Sequence, residues 1–219
     1  MNSGYFSEWI PRFLQYLKMR NYSAKTLLSY DQTLTRFGHY IWLTRNSRAE
    51  ITMHSFLKQP LRLETEVEVN AIEITNYLSF LTRSREYHAT TLNRILSSLS
   101  SFYRFMIMQD ILEVNPVPRI DRPRVKDTEL TYLKHSQVIR LLRSIPDPRD
   151  QLIVRIIYAT GVRVSELCSI NVEDIDSDDR MIRVKGKGGK IRMVFVDQET
   201  LDEIDSIIGN RLSGPLFFG

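Results

Sequence analysis

The order of apolar and polar positions divides the chain into a helical first part and a mixed second part. From Thr26 the apolar residues fall at Leu27, Tyr30, Leu34, Phe37 and Ile41, three and four apart, which sets them on one face of a helix. Ser23 stands just ahead, where its hydroxyl can cap the first free backbone amides. A preceding helix runs through Trp9, Phe13, Leu14 and Leu17. A third spans about Asn70 to Leu81 through Ile74, Tyr77 and Leu78. A fourth starts near Thr90 and runs through Leu92, Ile95, Leu96, Leu99, Phe102, Tyr103 and Met106. Four amphipathic helices of this length predict a small bundle, with Phe102, Tyr103 and Phe105 in its core. Residues 45–68 show no clear period and read as a long connection.

A change of texture follows. Pro116, Pro118 and Pro123 fall within eight residues. Proline removes an amide donor and turns its predecessor away from helix. Residues 111–130 are therefore expected to be an extended linker, made basic by Arg119, Arg122 and Arg124. Beyond it, helices are predicted at about 135–144 and 148–160, with Tyr158 in the core. Gly161 breaks the pattern, and a short helix continues through Val164, Leu167 and Ile170, with Cys168 expected to be buried. Met181–Val184 and Ile191–Val196 read as strands joined by the glycines of residues 186–190. A last helix is predicted over 198–208. The closing Leu216-Phe217-Phe218 is apolar enough to belong in a core.

Charge sharpens this outline. The 219 residues carry 30 Lys and Arg against 26 Asp and Glu, a net +4. All of that excess lies in residues 1–130, and the remainder is neutral. Within the neutral part, Arg180 to Arg192 holds six basic residues and no acid. So dense a basic hairpin points to a polyanion. The hydrophobic content of 42% supports real cores and excludes a disordered chain. No apolar run reaches the roughly 18–20 residues of a membrane helix, and the N-terminus does not read as a secretory signal. The single cysteine excludes an internal disulfide and fits a reducing compartment.

Two segments carry candidate chemistry. In Gly161-Val-Arg-Val-Ser-Glu-Leu167, Arg163 and Glu166 stand three apart and share a helical face. The pair reads either as a surface ion pair or as an Arg fork presented to a phosphate and steadied by a carboxylate. In Val184-Lys-Gly-Lys-Gly-Gly-Lys-Ile-Arg192 the lysines serve solubility, or enter a DNA groove, where one could neutralise a phosphate or protonate a leaving oxygen. The Walker pattern GxxxxGK[ST] is absent.

Taken in order, Tyr158-Ala-Thr-Gly-Val-Arg-Val-Ser-Glu-Leu167, Val172-Glu-Asp-Ile-Asp176 and Ile182 to Arg192 resemble the tyrosine recombinases, closest to the Xer-type and phage-integrase group. Tyr22 to Tyr30 and Leu92 to Phe105 also look like that family's core-binding domain. The resemblance implies a mainly α chain. A four-helix, SAM-like core-binding domain over 1–110 is followed by the basic linker at 111–130. Residues 131–219 would be the first part of an α+β catalytic domain with a small hairpin sheet. Such proteins clamp duplex DNA and attack the scissile phosphate through a tyrosine, without metal or nucleotide cofactor. Arg163 matches the first phosphate-binding arginine, Glu166 its acidic support and Lys187 the hairpin lysine that protonates the leaving oxygen. Lys185 and Lys190 stand close by as DNA contacts, and Lys187 is preferred for its place between glycines. On the core-binding side, Lys25, Arg36, Thr90, Asn93 and Arg94 lie off the apolar stripes and are expected to meet phosphate.

The departures are as informative as the match. The family continues with His-x-x-Arg, a later His or Trp, and the tyrosine nucleophile. Here the histidines are His39, His54, His88 and His135, and the last tyrosine is Tyr158. His88 and His135 are expected at the surface. The chain is therefore expected to be a recombinase cut short before its nucleophile, inactive in cleavage alone. The alternative is a non-catalytic relative that binds or regulates. The expected partners are double-stranded DNA and subunits of the same family, as a tetramer for the full-length protein. A prokaryotic, DNA-associated, cytoplasmic setting without a membrane goes with them.

Overall fold

The computed structural model describes residues 4–47, 50–83, 87–125 and 131–218, apart from the side chain of Lys187. It is mainly helical with one small sheet, and it divides into two compact units, residues 1–128 and 129–219.

Unit 1 contains α1 (Phe6–Met19), α2 (Ala24–Asn46), α3 (Met53–Lys58), α4 (Ala71–Arg83) and α5 (Ala89–Met108). The Ser23 hydroxyl accepts the Thr26 amide at 3.2 Å, and α2 starts where the pattern predicts. Asn70 and Glu73 cap α4 reciprocally, each side chain accepting the other's amide at 2.9 Å. The predicted faces pack into one aromatic-rich core, with Phe6, Phe13, Phe37, Phe102 and Tyr103 fully buried.

The connection at 45–68 holds more order than its sequence announces. It contains α3, whose Phe56 is buried, and an extended stretch that buries Val67. The Phe6 amide donates to the Thr65 carbonyl, and the Arg45 guanidinium donates to the carbonyls of Glu66 and Glu68. His39 is buried beside this stretch and its Nδ1 accepts the Arg62 amide. These backbone groups are satisfied by side chains and backbone groups distant in sequence, so no local period marks them. The proline-bearing segment lies along α5: Asn93 donates to the Pro123 carbonyl, and Arg122 donates to Asn93 and Ser97. Residues 126–130 of the expected linker lie outside the described residues.

Unit 2 contains α6 (His135–Ser144), α7 (Pro148–Thr160), α8 (Val164–Leu167), β1 (Ile175–Asp176), β2 (Met181–Lys185), β3 (Ile191–Phe195) and α9 (Gln198–Ile208). The sheet is antiparallel in the order β1-β2-β3, with Ile182 opposite Val194 and Val184 opposite Arg192. Its inner face packs Ile182 and Val184 against Leu152, Ile156, Leu201 and Ile204. Arg155 of α7 bridges Glu199 and Glu203 of α9. The C-terminal segment enters this core through Leu216, with Phe217 packed at its edge, whereas Phe218, expected in the core as well, is exposed. Leu216 is fully buried and its amide donates to the Ile170 carbonyl.

Two further expectations are corrected. Tyr158 is half exposed, not buried, and its hydroxyl meets His135 Nδ1 at 3.0 Å. It stands two residues past the buried Ile156, roughly 200° around the helix. Cys168 is exposed as well. It is the C-terminal cap of a one-turn helix, so the buried face ends at Leu167.

Candidate functional site

Gly161 closes α7 with φ +65°, a left-handed conformation that glycine adopts without strain. The chain then turns through buried Val162 and delivers Arg163 to the cap position of α8. Glu166, three residues on, faces inward and is only 4% exposed. Its Oε2 accepts the Arg163 amide at 2.9 Å, and its Oε1 accepts one guanidinium nitrogen of Arg163 at 2.9 Å. The Arg163 side chain remains 72% exposed. The arrangement is thus neither a plain surface pair nor a buried one. A buried carboxylate holds one terminal nitrogen of a guanidinium whose side chain is otherwise largely exposed.

A second arginine completes the set. Arg192 of β3 donates to both oxygens of Glu166, at 3.2 and 2.7 Å. Sequence reading counted Arg192 as one of several hairpin cations and missed this role. The signal was present: Arg192 stands two residues before inward-facing Val194, so strand alternation turns it to the same face. The Arg192 guanidinium foremost, with the Arg163 amide next, holds the Glu166 carboxyl down at about 2, from an ordinary value near 4.5.

That depression has a sign. A carboxylate whose folded value lies below its unfolded value contributes stability above about pH 4.5, and the contribution is lost as pH falls towards 2. Unit 2 is accordingly expected to lose denaturant resistance across that window. Glu166→Gln should remove this part of the acid dependence. Urea midpoints measured between these pH values test it, and an unchanged acid limb in Glu166→Gln would sink the assignment.

The hairpin carries its lysines around a tight glycine turn. Gly188 and Gly189 have φ of +74° and +78°, and the Gly186 amide donates to the Lys190 carbonyl at 2.7 Å. Lys185 and Lys190 are exposed. The backbone of Lys187 lies in the turn, and its side chain is outside the description. Gly186 sits against the carboxylate pair: a Cβ there would stand 3.2 Å from Arg192 Nη1 and 3.3 Å from Glu166 Oε1.

In unit 1, Lys25, Ser29, Gln32 and Arg36 recur along one face of α2, and Thr90 and Arg94 share a face of α5. Arg94 donates to Ser29 at 2.7 Å and Arg36 to the Tyr87 hydroxyl at 3.0 Å. Arg36, Arg94 and Tyr87 line one small cleft. Lys25 and Thr90 are exposed. Asn93 stands apart from these, its amide engaged by Pro123. His88 caps α5 without a side-chain bond. Among the described residues no three His, Cys, Asp or Glu side chains gather as a metal site. No described helix is long and apolar enough to cross a membrane.

Known proteins share this plan. Residues 131–216 match the Phage integrase family, and residues 9–113 match the Phage integrase N-terminal SAM-like domain. Tyrosine recombinase XerC of Staphylococcus haemolyticus is 32% identical over 188 residues, which cover 83% of this chain and 57% of that protein. Tyrosine recombinase XerA of Pyrococcus furiosus is 31% identical over 190 residues, 85% of this chain and 63% of that protein. The chain thus spans about three fifths of the length of these relatives. A crystallised lambda integrase tetramer bound to a Holliday junction has a similar fold, with a TM-score of 0.68 at 21% identity, covering 95% of this chain and 58% of that one. Two adjoining matches to parts of one family, joined by Xer relatives across both, place the chain in the phage integrase family of tyrosine recombinases.

Proposed function

We propose that this chain binds duplex DNA and carries the arginine and lysine part of a site-specific recombinase's phosphoryl-transfer site. The single observation behind this reading is the Arg163 guanidinium, held through one terminal nitrogen by Glu166 while the side chain stays 72% exposed. A planar guanidinium with donors to spare suits two non-bridging phosphate oxygens. Lys187, on the glycine turn, would protonate the leaving oxygen, with Lys185 and Lys190 on flanking phosphates. Residues 1–110 act as the core-binding domain, 111–130 as the linker and 131–219 as the first part of the catalytic domain. Lys25, Arg36, Thr90 and Arg94 supply contacts to the DNA backbone, of which Arg36 and Arg94 are the strongest, since they share a cleft; Asn93, whose amide is spent on the Pro123 carbonyl, instead holds the proline-bearing segment against α5. The chain has no tyrosine after Tyr158, so by itself it forms no covalent adduct. Other subunits of the family, four in the complete assembly, and a cytoplasmic, DNA-associated setting belong to the same reading.

The test is duplex binding by this chain across a salt series, with a denaturing gel for adducts on a nicked duplex. Steep salt dependence and no adduct are expected. Arg94→Gln should weaken binding about tenfold near 0.1 M salt and reduce the logarithmic salt slope by about one, on every sequence tried. Weak binding that ignores salt would refute the reading.

A further inference from the structure

Glu166 accepts four hydrogen bonds, two from Arg163 and two from Arg192. A carboxylate offers about four lone-pair sites, so this one is fully used. The division is unequal. Arg192 engages both oxygens with its fork, whereas Arg163 spends one guanidinium nitrogen and its backbone amide. Exposure follows the division: the Arg192 side chain is 40% exposed and that of Arg163 72%.

We propose that Arg192 is the positioning residue of this site, holding Glu166 so that the Arg163 fork stays outward and the lysine hairpin stays seated beside it. The proposal rests on the reading of Arg163 and Lys187 as phosphate-facing groups. Its physical basis is competition for one carboxylate. Without Arg192, nothing stops Glu166 from taking Arg163 fork to fork, the strongest geometry open to that pair. The guanidinium would then lose the donors it presents outward. Arg192 also ties β3 to α8, and β3 is the return arm of the lysine hairpin.

Gly186 is an independent sign that the seat is built. It directly follows β2, and a Cβ there would press on the Arg192 and Glu166 head groups within 3.4 Å. The hairpin backbone at Gly186 therefore passes close beside the shared carboxylate. Two cations on one anion leave the cluster with a net positive charge, which suits a phosphate.

The experiment is an NMR titration of the 219-residue chain with inorganic phosphate, following the Arg163 side-chain Nε–H and the amides of Gly186, Gly188 and Gly189. In the wild type, phosphate should shift the Arg163 and hairpin signals along one binding curve. Arg192→Gln should weaken that curve at least about tenfold and move the Gly186 amide before phosphate is added. Its Glu166 carboxyl carbon should also titrate higher than the wild type's. Arg192→Lys keeps the charge but not the fork, so only partial recovery is expected. Unchanged Leu216 methyl signals would show that unit 2 is folded in each variant, and Arg192→Lys carries the comparison if Arg192→Gln is not. Wild-type phosphate affinity at Arg163 in both variants would overturn the positioning role while leaving the phosphate reading intact. No phosphate response at Arg163 in the wild type would overturn that reading, and the proposal with it.

Discussion

Arg163→Ala, made in a chain extended through the family's tyrosine, is expected to lower strand cleavage about 10²–10³-fold while duplex binding changes less than about threefold. The asymmetry follows from where the side chain points. Most of its donors face solvent, and its bond to Glu166 is already made without DNA. On the proposed role it is one cation among several in ground-state binding, beside those of the α2 and α5 face. On the same role its larger contribution would come when charge builds on the non-bridging oxygens of the transition state, for donors fixed beforehand need not reorganise. Removing Arg163 leaves Arg192 on Glu166, so the hairpin should keep its seat. Cleavage of a labelled nicked duplex and equilibrium binding to the same duplex separate the two effects. Equal losses in both would contradict the role given to Arg163.

The second large effect is on stability. Phe102→Ala should cost unit 1 about 3–5 kcal/mol, out of the roughly 5–15 kcal/mol typical of a domain. Phe102 is fully buried and its ring meets Phe6, Phe13 and Tyr103 at centroid distances of 6.0, 5.5 and 5.6 Å. These three partners come from α5 itself and from α1 or its first turn, so the cavity lies where two helices depend on each other. Unit 2 has its own core, and its denaturation midpoint is expected to stay near the wild-type value. Urea unfolding followed separately in the two units checks this. A loss below about 1 kcal/mol would mean that the site collapses around the missing ring.

The fold was legible wherever the chain repeats a period. The stripes on α1, α2, α4 and α5 each bury the face their spacing predicts, because helical geometry alone brings such residues together. The two hairpin strands were legible from their composition and the glycines between them, whereas the two-residue β1 was not. Legibility failed where partners are distant in sequence. The stretch at 61–69 is held by Arg45, Phe6 and His39, and α3 is a short helix inside a segment without a period. Tyr158 escapes the pattern because α7 buries only Leu152 and Ile156, too few positions to define a face.

The site shows the same boundary. Sequence alone determined that Arg163 and Glu166 share a turn and that lysines crowd a glycine hairpin. It also determined that the net charge of +4 lies in the first 130 residues. Those are properties of spacing and composition, and they carry through any tertiary arrangement. Tertiary structure alone decided that Glu166 is buried, that Arg192 reaches it across 26 residues, and that Gly186 lies close beside both. The physical reason is that a carboxylate can be buried only where its lone pairs are filled, and half of the bonds that fill those of Glu166 come from β3, distant in sequence from α8.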